Sequence, residues 1–284
     1  MEKIWIVGAS GQLGRAFKLH MDPLDAEILI TDEEVDVTDL KEIDSFGNMS
    51  RPDVIINCAA ITDVDVCDKN PDLAYKVNAI GARNLAIVAE SIGAKLVQIS
   101  TDDVFSGLNK LPYTEYDETH PRTVYGQSKL AGEEYVKNFC SKHFIVRSNW
   151  VYGKGESNFL YKVLKAAKNE KTFRVSPYQM GSPTSSFELA KFIIQLIDTD
   201  EFGLYHATCS GSCSRYEFAK EIVDFLGLDL SLEKIELDED EILDANVSDR
   251  PWYAVLDNFV MRITDLYQMP EWKVALHEYL EKLQ

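Results

Sequence analysis

Short apolar runs alternate with stretches of helical periodicity over the first 150 residues of the chain. The apolar runs occupy residues 3–7, 27–30, 54–57, 95–99 and 144–146. Residues 72–92, which Gly93 follows, and residues 121–140, which begin with Pro121, have the length and composition of helices. Buried strands separated by helical segments of ten residues or more are typical of right-handed βαβ crossovers, so the pattern predicts a parallel sheet.

The pattern becomes less regular after Trp150. Further helices are predicted at residues 158–169, 186–197, 216–226 and 272–283. We therefore expect an α/β protein with a Rossmann-type doubly wound parallel sheet and a smaller α/β substrate-binding lobe. The sheet domain is expected to contain residues 1–150 and about 176–204, and the lobe about 151–175 and 205–284.

A glycine-rich turn follows the first predicted strand. Gly8, Gly11 and Gly14 are spaced three apart, directly before a helical stretch. Glycine lets the main chain approach a pyrophosphate, which the free N–H groups of a helix N-terminus then bind. Asp32, at the end of the second strand, lies 18 positions after Gly14, close to the roughly 20 expected of a carboxylate that binds a ribose 2′-hydroxyl. The turn predicts a dinucleotide site; Asp32 favours NADH and Arg15 favours NADPH, so both stay open.

Tyr125 and Lys129 lie four residues apart in the helix predicted to begin at Pro121. Positions i and i+4 share one face of a helix. A phenol can donate a proton to a carbonyl oxygen, and a nearby ammonium stabilises the tyrosinate left behind, which matters because a free tyrosine titrates near about pH 10. The pair is a candidate proton donor with its activator, although a surface helix can carry the same spacing.

Polar clusters follow the ends of several predicted strands. They are residues 8–14, Asp32, residues 59–62 (Ala-Ala-Ile-Thr) and residues 100–103 (Ser-Thr-Asp-Asp). Ligands of open parallel sheets bind beyond the carboxyl ends of the strands. We therefore expect these clusters to form one composite site.

Composition and charge restrict the partners. The formal net charge of −18 argues against nucleic-acid binding, because phosphate contacts require clustered Lys and Arg. No run reaches the roughly 18 apolar residues of a membrane span, and an apolar strand is predicted from residue 3, so we expect neither a spanning helix nor a signal peptide. A cytoplasmic protein without a membrane partner is therefore expected. The five cysteines include no C-x-x-C pair and the five histidines show no metal-ligand spacing, so free thiols and no bound metal are expected.

The chain resembles the dTDP-4-dehydrorhamnose reductases, a family of extended short-chain dehydrogenase/reductases. The stretches that carry the resemblance run in order over nearly the whole chain. They are residues 8–14 (GASGQLG), 57–65 (NCAAITDVD), 77–79 (VNA), 99–107 (ISTDDVFSG), 125–133 (YGQSKLAGE), 147–153 (RSNWVYG), 179–184 (QMGSPT), 203–206 (GLYH) and 250–251 (RP).

The resemblance implies that NADH or NADPH reduces the C4 ketone of a nucleotide-linked 4-keto-6-deoxy sugar, expected to be dTDP-4-dehydro-L-rhamnose. Tyr125 would donate the proton to the developing alkoxide, Lys129 would activate Tyr125 and hold the nicotinamide ribose, and Thr101 would hydrogen-bond the same oxygen. The residues implied to bind the cofactor are Gly8, Ser10, Gly11, Gln12, Leu13, Asp32, Ala59, Ala60, Thr62, Ser100, Tyr125 and Lys129. Those implied to bind the substrate are Asp102, Asp103, Trp150, Tyr178 and Arg250.

Three departures from the family pattern bear on the substrate and on metal use. The family has Tyr at the position of Asp103 and Asp at that of Tyr178, so we expect the exchanged side chains to face each other across the sugar pocket. Tyr253 and Ala254 replace an Asn-Ser pair near the nucleotide. Ala16 stands where some relatives place a Glu in a magnesium-linked dimer, so we expect no metal requirement. The protein is expected to be a monomer or a homodimer.

Two alternatives stay open. The chain could reduce a different nucleotide 4-ketohexose, which the altered residues Asp103, Tyr178 and Tyr253 favour. It could instead be a non-catalytic, cofactor-binding regulatory subunit, similar to the beta subunit of methionine adenosyltransferase in the same superfamily. Intact Thr101, Tyr125 and Lys129 favour an enzyme, because a pure binding subunit needs no proton donor.

Overall fold

The computed structural model describes residues 1–21, 26–155, 158–237 and 251–283. A six-stranded sheet lies at its centre. The strands are β1 (Glu2–Val7), β2 (Ala26–Thr31), β3 (Val54–Asn57), β4 (Lys95–Thr101), β5 (His143–Ser148) and, later in the chain, β10 (Gly203–His206). Their spatial order is β10-β5-β4-β3-β1-β2, and every neighbouring pair is parallel. The predicted doubly wound parallel sheet is confirmed.

Both faces of this sheet are buried, because successive residues of each strand enter different hydrophobic clusters. Ile4 and Ile6 of β1 pack into one cluster, whereas Trp5 and Val7 pack into the other. Helices α1 (Gln12–His20), α7 (Phe159–Asn169) and α8 (Ser186–Ile197) cover the first face. Helices α2 (Leu40–Ser50), α5 (Ala82–Ile92) and α6 (Val124–Phe139) cover the second.

The order of the strands sets the position of a ligand site. β1 pairs with β2 on one side and with β3 on the other, so the direction in which strands are added reverses at β1. The loops after β1 and β3 diverge at such a point and leave a crevice beyond the carboxyl ends of the strands.

The prediction of one continuous helix over residues 72–92 is wrong, because the structure interrupts it in the middle. The structure has α3 (Val64–Lys69), α4 (Pro71–Tyr75) and a π-helix (Lys76–Gly81) before α5. The predicted end is confirmed, because Gly93 has a φ of 77° and terminates α5. π-helices are rare overall, but those that occur are often found at functional sites. This one contributes a residue to the candidate site.

The described part of the second half of the chain contains short strands and five helices. Its strands are β6 (Val151–Tyr152), β7 (Thr172–Val175), β8 (Met180–Gly181), β9 (Thr184–Ser185), β11 (Cys213–Ser214) and β12 (Ser231–Lys234). The helices, besides α7 and α8, are α9 (Arg215–Leu226), α10 (Phe259–Ile263) and α11 (Trp272–Glu281). The four helices predicted here are confirmed to within a few residues. α8 packs on α1 and β10 joins the main sheet, whereas the division into two lobes stays a prediction.

No helix within the described ranges has both the length and the apolar character needed to cross a bilayer.

Candidate active site

The glycine-rich turn between β1 and α1 lies against the loop that follows β3. Gly8 has a φ of 75°, and a Cβ there would lie 2.7 Å from the main-chain nitrogen of Ala59. Any larger residue would separate the two loops. Among the described residues, no side chain caps the N-terminus of α1, where Gly11 is the N-cap. The first N–H groups of α1 are therefore available to an anion such as a pyrophosphate.

Ser10, Gln12 and Asp32 connect this turn to neighbouring segments. The main-chain nitrogen of Ser10 donates to Asp32 Oδ1 at 2.8 Å, just beyond the end of β2. Gln12 Nε2 donates to the carbonyl oxygen of Val151 at 2.9 Å, and Gln12 Oε1 accepts from Asn158 Nδ2 at 2.7 Å. These residues thus lie together at the crevice, and their predicted contacts with a cofactor stay predictions. Leu13 differs from them, because its side chain packs into the core.

Asn78 holds the loop of residues 59–62, in which Ala59, Ala60 and Thr62 are predicted to bind the cofactor. Its Oδ1 accepts from the main-chain nitrogen of Ile61 at 2.9 Å, and its Nδ2 donates to the carbonyl oxygen of Ile61 at 3.0 Å. The same Nδ2 donates to Ser128 Oγ of α6 at 2.9 Å. Sequence reasoning assigned no role to Asn78, although the stretch 77–79 was a signal for it.

Tyr125 and Lys129 lie on α6, as predicted, but this helix begins later than expected. It starts at Val124, because Thr123 Oγ1 accepts from the main-chain nitrogen of Gly126 at 2.9 Å and caps the helix. A Cβ on Gly126 would lie 2.1 Å from the carbonyl oxygen of Asp103. The first turn of α6 therefore touches the main chain just beyond β4.

Lys129 is buried beside β4. Its side chain is 3% exposed, and Nζ donates to the carbonyl oxygen of Ile99 at 2.6 Å. Burial lowers the pKa of Lys129 to about 8, while the carboxylate of Glu133 acts in the opposite direction. Burial raises the pKa of the adjacent Cys58 thiol to about 12, so this thiol is neutral near pH 7.

Thr101 is the last residue of β4, and its hydroxyl belongs to the turn that follows. Its Oγ1 donates to Asp102 Oδ1 at 3.1 Å and accepts from the main-chain nitrogen of Asp103 at 3.2 Å. The carbonyl oxygen of Asp102 accepts from the main-chain nitrogen of Phe105 at 2.9 Å. Because Lys129 contacts Ile99 and Gly126 approaches Asp103, this part of α6 lies against the strand end that carries Thr101.

A buried ion pair lies one turn beyond Lys129 on α6. Glu133 is fully buried, and its carboxylate accepts from Arg147 of β5, Nε to Oε1 at 2.8 Å and Nη2 to Oε2 at 2.6 Å. Ser100 Oγ donates to Glu133 Oε1 at 2.5 Å. Sequence reasoning missed this pair, although Glu133 and Arg147 both fall in stretches that carry the resemblance.

Trp150 adopts a left-handed conformation, with a φ of 42°. The guanidinium carbon of Arg215, the first residue of α9, lies 3.6 Å from the centre of the Trp150 ring and 4.8 Å from that of Phe159. A Cβ on Gly181 would lie 2.5 Å from the indole of Trp150. Trp150 is therefore held between β8 and α9. Sequence reasoning missed Arg215, because an arginine at the start of a helix carries no local signal.

Of the other residues predicted to bind the substrate, Tyr178 lies within the described ranges and Arg250 does not. The ring of Tyr178 stacks on that of Trp252, with centroids 5.5 Å apart and planes 20° apart. The main-chain nitrogen of Met180 donates to the carbonyl oxygen of Trp252 at 2.7 Å, so the two segments run side by side. The expected contact between Asp103 and Tyr178 stays a prediction. Arg250 lies outside the described residues.

Known proteins resemble the chain over its full length. The family described as RmlD substrate binding domain matches residues 1–284. The spore coat polysaccharide biosynthesis protein SpsK of Bacillus subtilis is 38% identical over 284 residues, which are 99% of this chain and 98% of that protein. A crystal structure of a dTDP-4-dehydrorhamnose reductase from Clostridium acetobutylicum is 42% identical, with a TM-score of 0.94 and 99% of each chain covered. The dTDP-4-dehydrorhamnose reductase of Bacillus anthracis, crystallised in complex with NADP, is 37% identical, with a TM-score of 0.94 and 100% of each chain covered.

Proposed function

Because the chain belongs to the family described as RmlD substrate binding domain, we propose that it reduces the C4 ketone of a nucleotide-linked 4-keto-6-deoxy sugar. It is an NAD(P)H-dependent oxidoreductase, and the expected reaction converts dTDP-4-dehydro-L-rhamnose to dTDP-L-rhamnose. The high structural similarity to two reductases of this name supports the proposal.

The observation that carries this proposal is the environment of Lys129. A surface Tyr–Lys pair would leave the amine in water. Here the amine is buried, is bonded to the carbonyl oxygen of Ile99 at 2.6 Å and lies four residues from Tyr125 on one helix. Burying a charge in this way is costly, so its position beside a phenol supports a chemical role.

The turn after β1 fits a dinucleotide. Gly8 leaves no room for a Cβ beside Ala59, and the uncapped start of α1 presents N–H groups to a pyrophosphate. We expect Asp32, which accepts from the main-chain nitrogen of Ser10, to accept from a ribose hydroxyl as well. When bound, a reduced nicotinamide supplies the hydride that the C4 carbon receives.

The chain itself supplies the proton and stabilises the oxygen. Tyr125 donates its phenolic proton to the C4 oxygen as negative charge develops there. The ammonium of Lys129 stabilises the resulting tyrosinate. The hydroxyl of Thr101, which contacts Asp102 in this structure, turns to donate a hydrogen bond to the same oxygen.

We expect the sugar and nucleotide to bind on the side of Trp150 and Tyr178. Trp150, fixed by Arg215, offers an aromatic face to the sugar, and Tyr178 with Trp252 forms a second aromatic surface. Arg250 is expected to bind the diphosphate. The exchanged identities of Asp103 and Tyr178 favour a second candidate, in which the substrate is another nucleotide 4-ketohexose.

The test is turnover of dTDP-4-dehydro-L-rhamnose, made in situ, followed through the near-ultraviolet absorbance of NADH or NADPH. Tyr125→Phe should lower kcat by about 100-fold or more, the contribution typical of a general acid, and should leave cofactor affinity nearly unchanged. Tyr135→Phe, on the same helix, is the matched control and should react like the wild type.

Three outcomes distinguish the proposed reductase from the two alternative functions. Turnover that persists in Tyr125→Phe would remove this residue as the proton donor. Turnover of a different 4-keto sugar would favour the second candidate. Cofactor binding without turnover of any such sugar would favour a regulatory subunit.

A further inference from the structure

The proposed chemistry needs a charged Lys129, and the surroundings of this residue oppose that charge. Its amine is almost completely removed from solvent, and burial favours the neutral form of a lysine. The pKa of Lys129 is about 8, so the ammonium would be lost only slightly above neutral pH.

Glu133, on the same face of α6, opposes the loss of the Lys129 proton. It lies four residues after Lys129, which itself lies four residues after Tyr125. Residues with this spacing are neighbours along a helix. The carboxylate of Glu133 raises the pKa of Lys129, whereas the Cys58 thiol, with a pKa of about 12, carries no charge near pH 7.

The position of the Glu133 carboxylate is fixed by three hydrogen bonds. Arg147 binds both of its oxygens, and Ser100 binds one of them. A bidentate interaction between an arginine and a carboxylate holds the carboxylate in one orientation. Removing one partner of a buried ion pair is costly because the other is left uncompensated.

Other titratable or charged side chains lie on α6, on the segments that pack against it, and at the neighbouring Cys58. They are Tyr125 on its own helix, Cys58 after β3, Asp102 and Asp103 after β4, and Arg147 on β5. After burial, Glu133 is the charged group that shifts the pKa of Lys129, because the Cys58 thiol is neutral in the range where Lys129 titrates. Loss of the Arg147 charge should therefore not lower that pKa.

We propose that Glu133 is a positioning residue for the reduction, whose carboxylate, fixed by Arg147 and Ser100, keeps the Lys129 amine charged beside Tyr125. This inference rests on the proposed function, because it concerns the same proton donor. It gives the buried ion pair a role in the reaction, in addition to holding α6 against β4 and β5.

The test compares the pH dependence of kcat for Glu133→Gln and Arg147→Gln, from about pH 6 to about pH 10. Glu133→Gln should move the alkaline limb to lower pH by about 1 unit, the effect of one neighbouring charge, so that kcat above the limb falls about tenfold. Arg147→Gln should leave the limb in place or move it to higher pH. Glu134→Gln, the exposed neighbour on α6, should match the wild type.

The opposite expectations for the two partners separate charge from structure. A merely structural role would make both single variants lose activity without a specific displacement of the limb. The double variant Glu133→Gln/Arg147→Gln leaves no buried charge unpaired, so it should fold even if a single variant does not. It should keep the displaced limb. Thermal unfolding identifies which variants are folded.

An unmoved limb in folded Glu133→Gln or in the double variant would overturn the proposal, and so would equal displacement in Arg147→Gln. The pH dependence of the NADPH dissociation constant, measured by energy transfer from tryptophan, is a second readout. It requires no turnover, because Lys129 is expected to hold the nicotinamide ribose. A wild type that binds NADPH without turning over the sugar would count against the proposed function, while the displaced binding profile would still test Glu133.

Discussion

Replacing Gly126 by alanine should slow the reaction far more than it destabilises the protein. A Cβ at this position would lie 2.1 Å from the carbonyl oxygen of Asp103 and 2.9 Å from its carbonyl carbon. Real Cβ contacts essentially never fall below 3.0 Å, so the oxygen and α6 must separate by about 0.9 Å. The obstacle is main chain, which cannot rotate away as a side chain can.

That displacement acts on the proposed proton donor directly. Gly126 is next to Tyr125, and Asp103 donates its main-chain N–H to Thr101 Oγ1, so the separation moves two groups that must reach the same substrate oxygen. A misplacement of about 1 Å can cost about 100-fold in rate. We therefore expect kcat of Gly126→Ala to fall by about that factor.

The stability should change much less. Overpacking costs about 1–3 kcal/mol, whereas alanine in a helix is favoured over glycine by about 1 kcal/mol. The net loss should be about 2 kcal/mol or less. Gly47→Ala is the matched control, because its Cβ would lie 2.5 Å from the side-chain Cγ1 of Val88 and Gly47 lies on α2, a different helix from that of Tyr125.

The assay pairs kcat, from the absorbance of the reduced nicotinamide, with thermal unfolding of each variant. Gly47→Ala should lose stability and keep its activity. A Gly126→Ala protein whose kcat stays within about threefold of the wild type would refute the reasoning, since the site would then tolerate a displacement that should cost about 100-fold.

Two further predictions concern the cofactor and metal use. Asp32→Ala removes the carboxylate that should repel a 2′-phosphate. The ratio of kcat/KM for NADPH to that for NADH should therefore rise by about tenfold. An unchanged ratio would show that Asp32 does not distinguish a 2′-phosphate from a 2′-hydroxyl. Because Ala16 stands where some relatives have a metal-linked carboxylate, a chelator should leave kcat unchanged, and loss of activity that magnesium restores would contradict this.

Local signals in the chain predict most of the sheet. Residues 4–7 alternate between the two buried faces of β1, and such runs are recognisable because both faces of a parallel strand are apolar. The break in the helix predicted over residues 72–92 has no such signal. It occurs where Asn78 bonds to Ile61 and Ser128, and a contact between distant segments leaves no periodicity in either.

The candidate site divides in the same way. The spacing of Tyr125 and Lys129 is visible because a helix face repeats every three to four residues. The pairing of Glu133 with Arg147, 14 residues apart, depends on how α6 crosses β5. The contact between Trp150 and Arg215 likewise requires two segments that no local pattern relates.

The alternation of strands and helices, the turn at Gly8 and the order of polar clusters at the strand ends can be predicted from local sequence. These features depend on local sterics and on which residues avoid water. The burial of the Lys129 amine, and the Glu133 carboxylate that Arg147 holds one turn away, become visible in the folded chain alone. The reason is electrostatic. The free energy of a charge depends on its solvent exposure and on its distance from other charges in space, and neither quantity follows from separation along the chain.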